Sequence, residues 1–150
     1  MICVLQRVLS SSVEVDSKVV GRIGRGLNIL FCALRGDDES DVIRLAEKIP
    51  KMRIFEDENN VNNLSLLDKG YEILLISNFT IAADYKKGNR PSYFNACEPK
   101  SAEMLYTKFA SELEKQGIHV EKGIFGADMK VEIVNDGPVT LVIDSAVLKK

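Results

Sequence analysis

Two short segments of the chain hold residues that could act on a substrate, and neither contains a histidine. Ser77-Asn78-Phe79-Thr80 follows an apolar run and offers two hydroxyls and an amide. Asn135-Asp136-Gly137-Pro138-Val139-Thr140 places a glycine-proline pair between two runs that read as strands, Met129 to Val134 and Val139 to Ile143. Proline has no N–H for a sheet ladder and glycine weakens a strand interior, so the pair marks a place where the chain turns or exposes its backbone. An X-Pro bond is cis at far lower cost than any other peptide bond, and a cis bond would aim two neighbouring carbonyls the same way. Composition alone favours an ordinary turn with a trans bond.

Familiar catalytic machinery lacks parts. A serine hydrolase needs a base beside its nucleophile, but the sole histidine, His119, is far in sequence from Ser77, and no Gly-x-Ser-x-Gly elbow surrounds that serine. Gly21-Arg22-Ile23-Gly24-Arg25-Gly26 has neither phosphate-loop nor dinucleotide spacing and reads as a hairpin connection. Cys3, Cys32 and Cys97 are odd in number and widely spaced, which points to a reducing compartment and to neither disulfide nor structural zinc. The residues therefore imply no metal and no organic cofactor.

The elements that must position these segments can be read from periodicity. Strands are expected at Ile2 to Leu9, Val13 to Val15, Val19 to Ile23 and Leu27 to Ala33, the last apolar enough for burial on both faces. Val42, Leu45, Ala46 and Ile49 fall at helical spacing after an acidic start, and Pro50 ends that helix. Further strands are expected near Met52 to Phe55, Tyr71 to Ile76 and Ile118 to Glu121, with a polar loop through Asn59-Asn60 and Asn62-Asn63. A second helix spans roughly Ser101 to Gln116, and a long loop runs from Ala83 to Pro99. The expectation is one α/β domain over residues 1–150, with a mixed, partly rolled sheet, two main helices and a short loose tail from Ala146.

At 150 residues, with 45% hydrophobic and 28% charged, the chain suits one core. The absence of a long apolar run or signal peptide leads to the expectation of a soluble, cytoplasmic protein with no membrane partner. A net charge of -2 argues against a general nucleic-acid binder, so any RNA contact must be local. Lys86, Lys87 and Arg90, spaced by Gly88 and Asn89, are the candidate phosphate contacts.

Taken together, the Ser77 to Ile81 segment, Lys86 to Ser92, Arg53-Ile54-Phe55-Glu56-Asp57, Phe125-Gly126-Ala127-Asp128-Met129 and the Asn135 to Thr140 motif resemble the D-aminoacyl-tRNA deacylase family, from Gln6-Arg7-Val8 to about Ser145. One departure is Asn78, where the family usually has glutamine. The resemblance implies a homodimer with its active sites at the subunit interface. Gly137-Pro138 of one subunit, in the cis form, would enter the other's pocket and exclude L side chains while admitting D side chains and glycine. Arg7 matches the arginine that helps hold this motif; Ser77 and Phe79 match pocket residues around the aminoacyl-adenosine, Asn78 stands among these catalytic candidates at the glutamine position, and Thr80 matches a threonine once favoured as nucleophile. The substrate's own ribose 2′-hydroxyl is the preferred participant, because no side-chain base is visible for Thr80. Two alternatives stand beside this reading: a related deacylase with a trans Gly-Pro bond clearing a mischarged L-amino acid, and a dimeric nucleic-acid-binding module without chemistry.

Overall fold

The first strand, β1 (Ile2–Val15), is the spine of the molecule. Its alternating pattern buries Cys3, Leu5, Val13 and Val15 on successive inward positions. Along one edge it pairs antiparallel with β2 (Lys18–Ile23) through Ser11 to Val15 and with β3 (Gly26–Cys32) through Ile2 to Val8. β3 then pairs in parallel with β6 (Glu72–Ser77), and β6 in parallel with β7 (Val120–Lys122). Along its other edge, β1 carries the long antiparallel β8 (Lys130–Asp144). β2 comes round towards β7, so the mixed sheet is nearly closed. These elements belong to the computed structural model of the protein, which describes residues 1–148.

Two helices cover the sheet. α1 (Glu39–Lys48) starts at Asp38, whose carboxylate caps Ser40 and Asp41, while Asp41 returns the bond to the Asp38 N–H. Pro50 ends it in a 3₁₀ turn, Ile49–Lys51. The short α2 (Leu66–Lys69) is capped by Ser65. α3 (Pro99–Glu114) begins with Glu98 accepting from the Ser101 N–H and Pro99 in its first turn. Its Phe109 stacks on Phe31 of β3 at 5.3 Å, and both rings are buried. Full burial of one such side chain contributes about 2–3 kcal/mol, so docking rather than propensity holds α3. A smaller cluster of Val8, Val13, Ile23, Leu74 and Ile76 fills the inside of the rolled sheet.

Several expectations need correction. The breaks expected after Leu9 and at Gly137-Pro138 do not interrupt the strands: β1 and β8 each run through. Ser10 to Ser12 look like a break by composition, but they pair with β8, and Ser11 and Ser12 with β2 as well. The polar loop at Asn62-Asn63 is strand β5 (Asn62–Leu64), which pairs with β4 (Phe55–Glu56) in a small hairpin. The segment Ala83 to Pro99 is pinned rather than free, by bridges Asp84 to Ser92 and Leu34 to Ala96 and by the Cys97 N–H to the Ala33 carbonyl at 3.0 Å. The expected tail begins as a 3₁₀ turn, Ser145–Leu148, with Leu148 against the core; residues 149–150 lie outside the described residues.

Closure of the β3–β6 pair depends on Gly26. A Cβ at this position would collide with the Glu72 carbonyl group, which belongs to backbone that cannot give way. Gly26→Ala is therefore expected to lower the unfolding free energy by about 3 kcal/mol. Urea denaturation of the purified variant measures it, and a loss under about 1 kcal/mol would contradict this packing.

Candidate active site

The end of β6 delivers Ser77 and Asn78 to the mouth of a cavity of about 640 Å³. The Asn78 N–H donates to the Phe31 carbonyl at 2.8 Å, extending the parallel pairing one residue beyond β6. The chain then turns into a 3₁₀ segment, Phe79–Ala82. Asn78 caps this turn: its side-chain oxygen accepts from the Thr80 N–H at 3.2 Å and from the Thr80 hydroxyl at 2.5 Å. The shorter amide thus has a defined job, an Asx-type cap two residues ahead. Thr80 in turn donates its proton to an amide oxygen, which is an acceptor but not a base.

Ser77, Asn78, Phe79 and Thr80 all line the cavity, as do Phe125 to Met129 from the loop before β8. Phe79 is 60% exposed and meets Tyr93 edge to face at 5.1 Å. Cys32, Cys97 and Ala102 complete part of the wall, and no feature of the sequence marked them as such. Burial pushes the thiols of Cys32 and Cys97 up, away from the thiolate form, and does the same to Cys3 in the core. His119 does not line the cavity; it faces solvent beside Glu121 at 3.0 Å. Among the described residues, no group of three or more His, Cys, Asp or Glu side chains is arranged to hold a metal ion.

Arg7, Gly137 and Pro138 line none of this cavity, although Val131 and Ile133 of the same strand β8 do. The pairing of β1 with β8 passes from Gln6 opposite Thr140 to Val8 opposite Asn135, so four residues, Asp136 to Val139, face Arg7 alone. The motif is a wide bulge pushed out of the ladder, with Gly137 and Pro138 exposed and the bond between them cis. Arg7 is only 6% exposed. Its Nε donates to the Asp136 carbonyl at 2.8 Å, and its Nη1 donates to the Ile54 carbonyl at 2.8 Å and to Asn62 Oδ1 at 3.0 Å. Glu56 and the Asp136 carboxylate stand 3.5 and 3.6 Å from it. One buried guanidinium thus fixes the entry to the bulge and ties it to the β4–β5 hairpin.

Lys86, Lys87 and Arg90 fall on the exposed tip closed by the Asp84–Ser92 bridge, outside the cavity but on the segment that also carries Tyr93 to its rim.

The nearly closed mixed sheet, the histidine-free cavity at the end of β6 and the projecting Gly137-Pro138 bulge define a small α/β protein. The family model described as D-Tyr-tRNA(Tyr) deacylase matches residues 4–144, and the chain belongs to that family. A relative from Persephonella marina, named D-aminoacyl-tRNA deacylase, is 55% identical over 148 residues, 99% of this chain and 100% of that protein. One of the same name from Clostridium botulinum is 52% identical over 97% of each chain. Among solved structures, one described as c-Myc DNA Unwinding Element Binding Protein superposes with a TM-score of 0.89 at 37% identity, over 96% of this chain and 98% of that one. A probable eukaryotic D-amino acid tRNA deacylase shares the fold at a TM-score of 0.83 and 17% identity, over 95% and 97%.

Removing the buried guanidinium would strand several acceptors at once. Arg7→Leu is expected to cost about 3 kcal/mol of stability, whereas Arg25→Ala, which breaks an exposed pair with Asp136, should cost under about 1 kcal/mol. Equal urea midpoints for the two variants would contradict this assignment.

Proposed function

We propose that this chain is a D-aminoacyl-tRNA deacylase that hydrolyses the ester between tRNA and a D-amino acid, and also removes glycine attached in error. The observation that carries the reading is the family match over residues 4–144, which takes in both the cavity segment and the bulged motif. The enzyme works in the cytoplasm as a homodimer. Gly137-Pro138 of one subunit reaches the cavity of the other, and its backbone rejects an L side chain while leaving room for a D side chain or a hydrogen. The separation of bulge and cavity within one protomer supports this arrangement, because each half is without the other. Arg7 keeps the bulge aimed outward through the Asp136 carbonyl.

In this mechanism the aminoacyl-adenosine end enters between Phe79 and the Phe125 to Met129 wall. Water attacks the ester carbonyl, the tetrahedral intermediate collapses, and the free amino acid and the tRNA hydroxyl leave. Ser77 to Thr80 position the ester, and the neighbouring ribose 2′-hydroxyl of the substrate takes the part that a side-chain base plays elsewhere. The chemistry needs no cofactor.

A second reading, a nucleic-acid-binding module without chemistry, draws support from the DNA-binding name of the 37% identical structure and from the basic tip. Deacylation of D-Tyr-tRNA, L-Tyr-tRNA and Gly-tRNA separates the readings. Hydrolysis of the first and third but not the second is the expected result; binding without hydrolysis of any would leave only the module.

Two further outcomes follow from the site. Thr80→Val keeps the shape of threonine and removes the hydroxyl; single-turnover rates on D-Tyr-tRNA should fall by less than about tenfold, against a hundredfold or more for loss of a nucleophile or its base. Alanine at Lys86, Lys87 and Arg90 together should weaken tRNA binding and flatten its dependence on salt, as removal of phosphate contacts does. Unchanged affinity and slope in a filter-binding titration would reduce the tip to a solvated loop.

A further inference from the structure

The segment from Tyr85 to Phe94, next to the cavity residue Phe79, carries large aromatic side chains that the fold leaves uncovered. Phe79 and Tyr93 meet at the rim. The next residue, Phe94, is 70% exposed, and the Arg35 guanidinium sits 4.2 Å from its ring centre while Arg35 Nε donates to the Phe94 carbonyl. Tyr85, one residue beyond the Asp84–Ser92 bridge, is 76% exposed. Single exposed apolar residues are ordinary, but aromatics on one pinned segment, Tyr85 before and Tyr93-Phe94 after Lys86, Lys87 and Arg90, are a specific composition.

The backbone under these rings is held by the bridges at Asp84–Ser92 and Leu34–Ala96 and by the Arg35 N–H to the Asn95 carbonyl at 2.9 Å. Ring faces presented from a fixed backbone lose little further freedom on binding. Aromatic faces beside cations suit unpaired nucleotides: bases stack on the rings while the cations meet the phosphates. Duplex nucleic acid, with its bases already stacked, would gain nothing from them. Phe79 also lines the cavity that the deacylase reading assigns to the terminal adenosine, and its contact with Tyr93 joins that cavity to this segment, within reach of the nucleotides just upstream.

We propose that Tyr85 and Phe94, the latter backed by Arg35, form a stacking platform for the unpaired nucleotides that precede the esterified adenosine at the tRNA 3′ end. This rests on the deacylase reading, and it adds a stacking site outside the cavity, on the segment that carries the basic tip.

The test measures equilibrium binding of two uncharged RNA hairpins to the full chain: an acceptor-stem hairpin with its single-stranded 3′ overhang, and the same hairpin trimmed to a blunt end. Phe94→Leu and Tyr85→Leu keep apolar bulk and remove the ring. Each should weaken binding of the overhang hairpin by about tenfold and leave the blunt hairpin unchanged, while Phe94→Tyr should retain wild-type affinity. Equal effects on both hairpins, or none on either, would overturn the platform. So would a shift in sedimentation showing that the leucine variants dissociate the protein, since the rings would then be a subunit contact. D-Tyr-tRNA hydrolysis by the wild type is followed in parallel. An active enzyme whose variants bind normally sinks only the platform, whereas an inactive wild type that ignores the overhang sinks the deacylase reading with it.

Discussion

A guanidinium cannot be taken out of water unless its donors are met, and that constraint organises half of this molecule. Arg7 sits on the central strand β1, opposite the only place where β8 leaves the ladder for four residues. Its donors are met by the Asp136 carbonyl on one side and by Ile54 and Asn62 on the other. The bulge and the β4–β5 hairpin therefore have to converge on one side chain. An exposed ion pair in the same place would exert far less control, because solvent would compete for every contact.

The other half of the molecule shapes a cavity by parallel pairing. β3 and β6 run side by side until the Asn78 N–H reaches the Phe31 carbonyl, and the chain then breaks into a turn capped by Asn78 itself. Thr80 is held by that cap, its hydroxyl donating to the Asn78 side-chain oxygen. The raised thiols of Cys32 and Cys97 and the solvent-facing His119 leave the cavity without a thiolate or an imidazole. A site of this composition gains rate by holding its substrate in one pose, and the proposed function assigns the missing reactivity to the substrate's own hydroxyl.

Much of this was legible in the sequence because it follows from period and punctuation. The buried apolar run of β3, the helical stripe of α3 and the stop at Pro50 are local signals, and the structure has them within a few residues. The misreadings share one cause: pairing overrides composition. Ser10 to Ser12 are polar, yet two flanking strands hold them extended. Asn62 reads as loop, but its strand is fixed by β4 and its amide by Arg7. Motif order pointed to Ser77 to Thr80 and to Gly137-Pro138 as site residues. The resemblance also pointed to Arg7 as a support of the motif, but not to the atoms it meets: the Asp136 carbonyl, 129 positions away, and Ile54 and Asn62 of a hairpin that reads as loop.

The separation of bulge and cavity within one protomer is where the proposed account is most exposed. If the working site takes its cavity from one chain and its Gly137-Pro138 bulge from another, two differently damaged proteins should repair each other. Arg7→Leu chains, with a misaimed bulge and an intact cavity, would be mixed with Ala127→Trp chains, whose cavity is filled and whose bulge is intact, after unfolding and refolding together. Each protein refolded alone should be inactive on D-Tyr-tRNA. The mixture should recover about a quarter of wild-type activity, since half of randomly formed dimers are mixed and each has one sound site. A mixture no more active than its parents, with mixed dimers confirmed, would show that each chain builds its site alone.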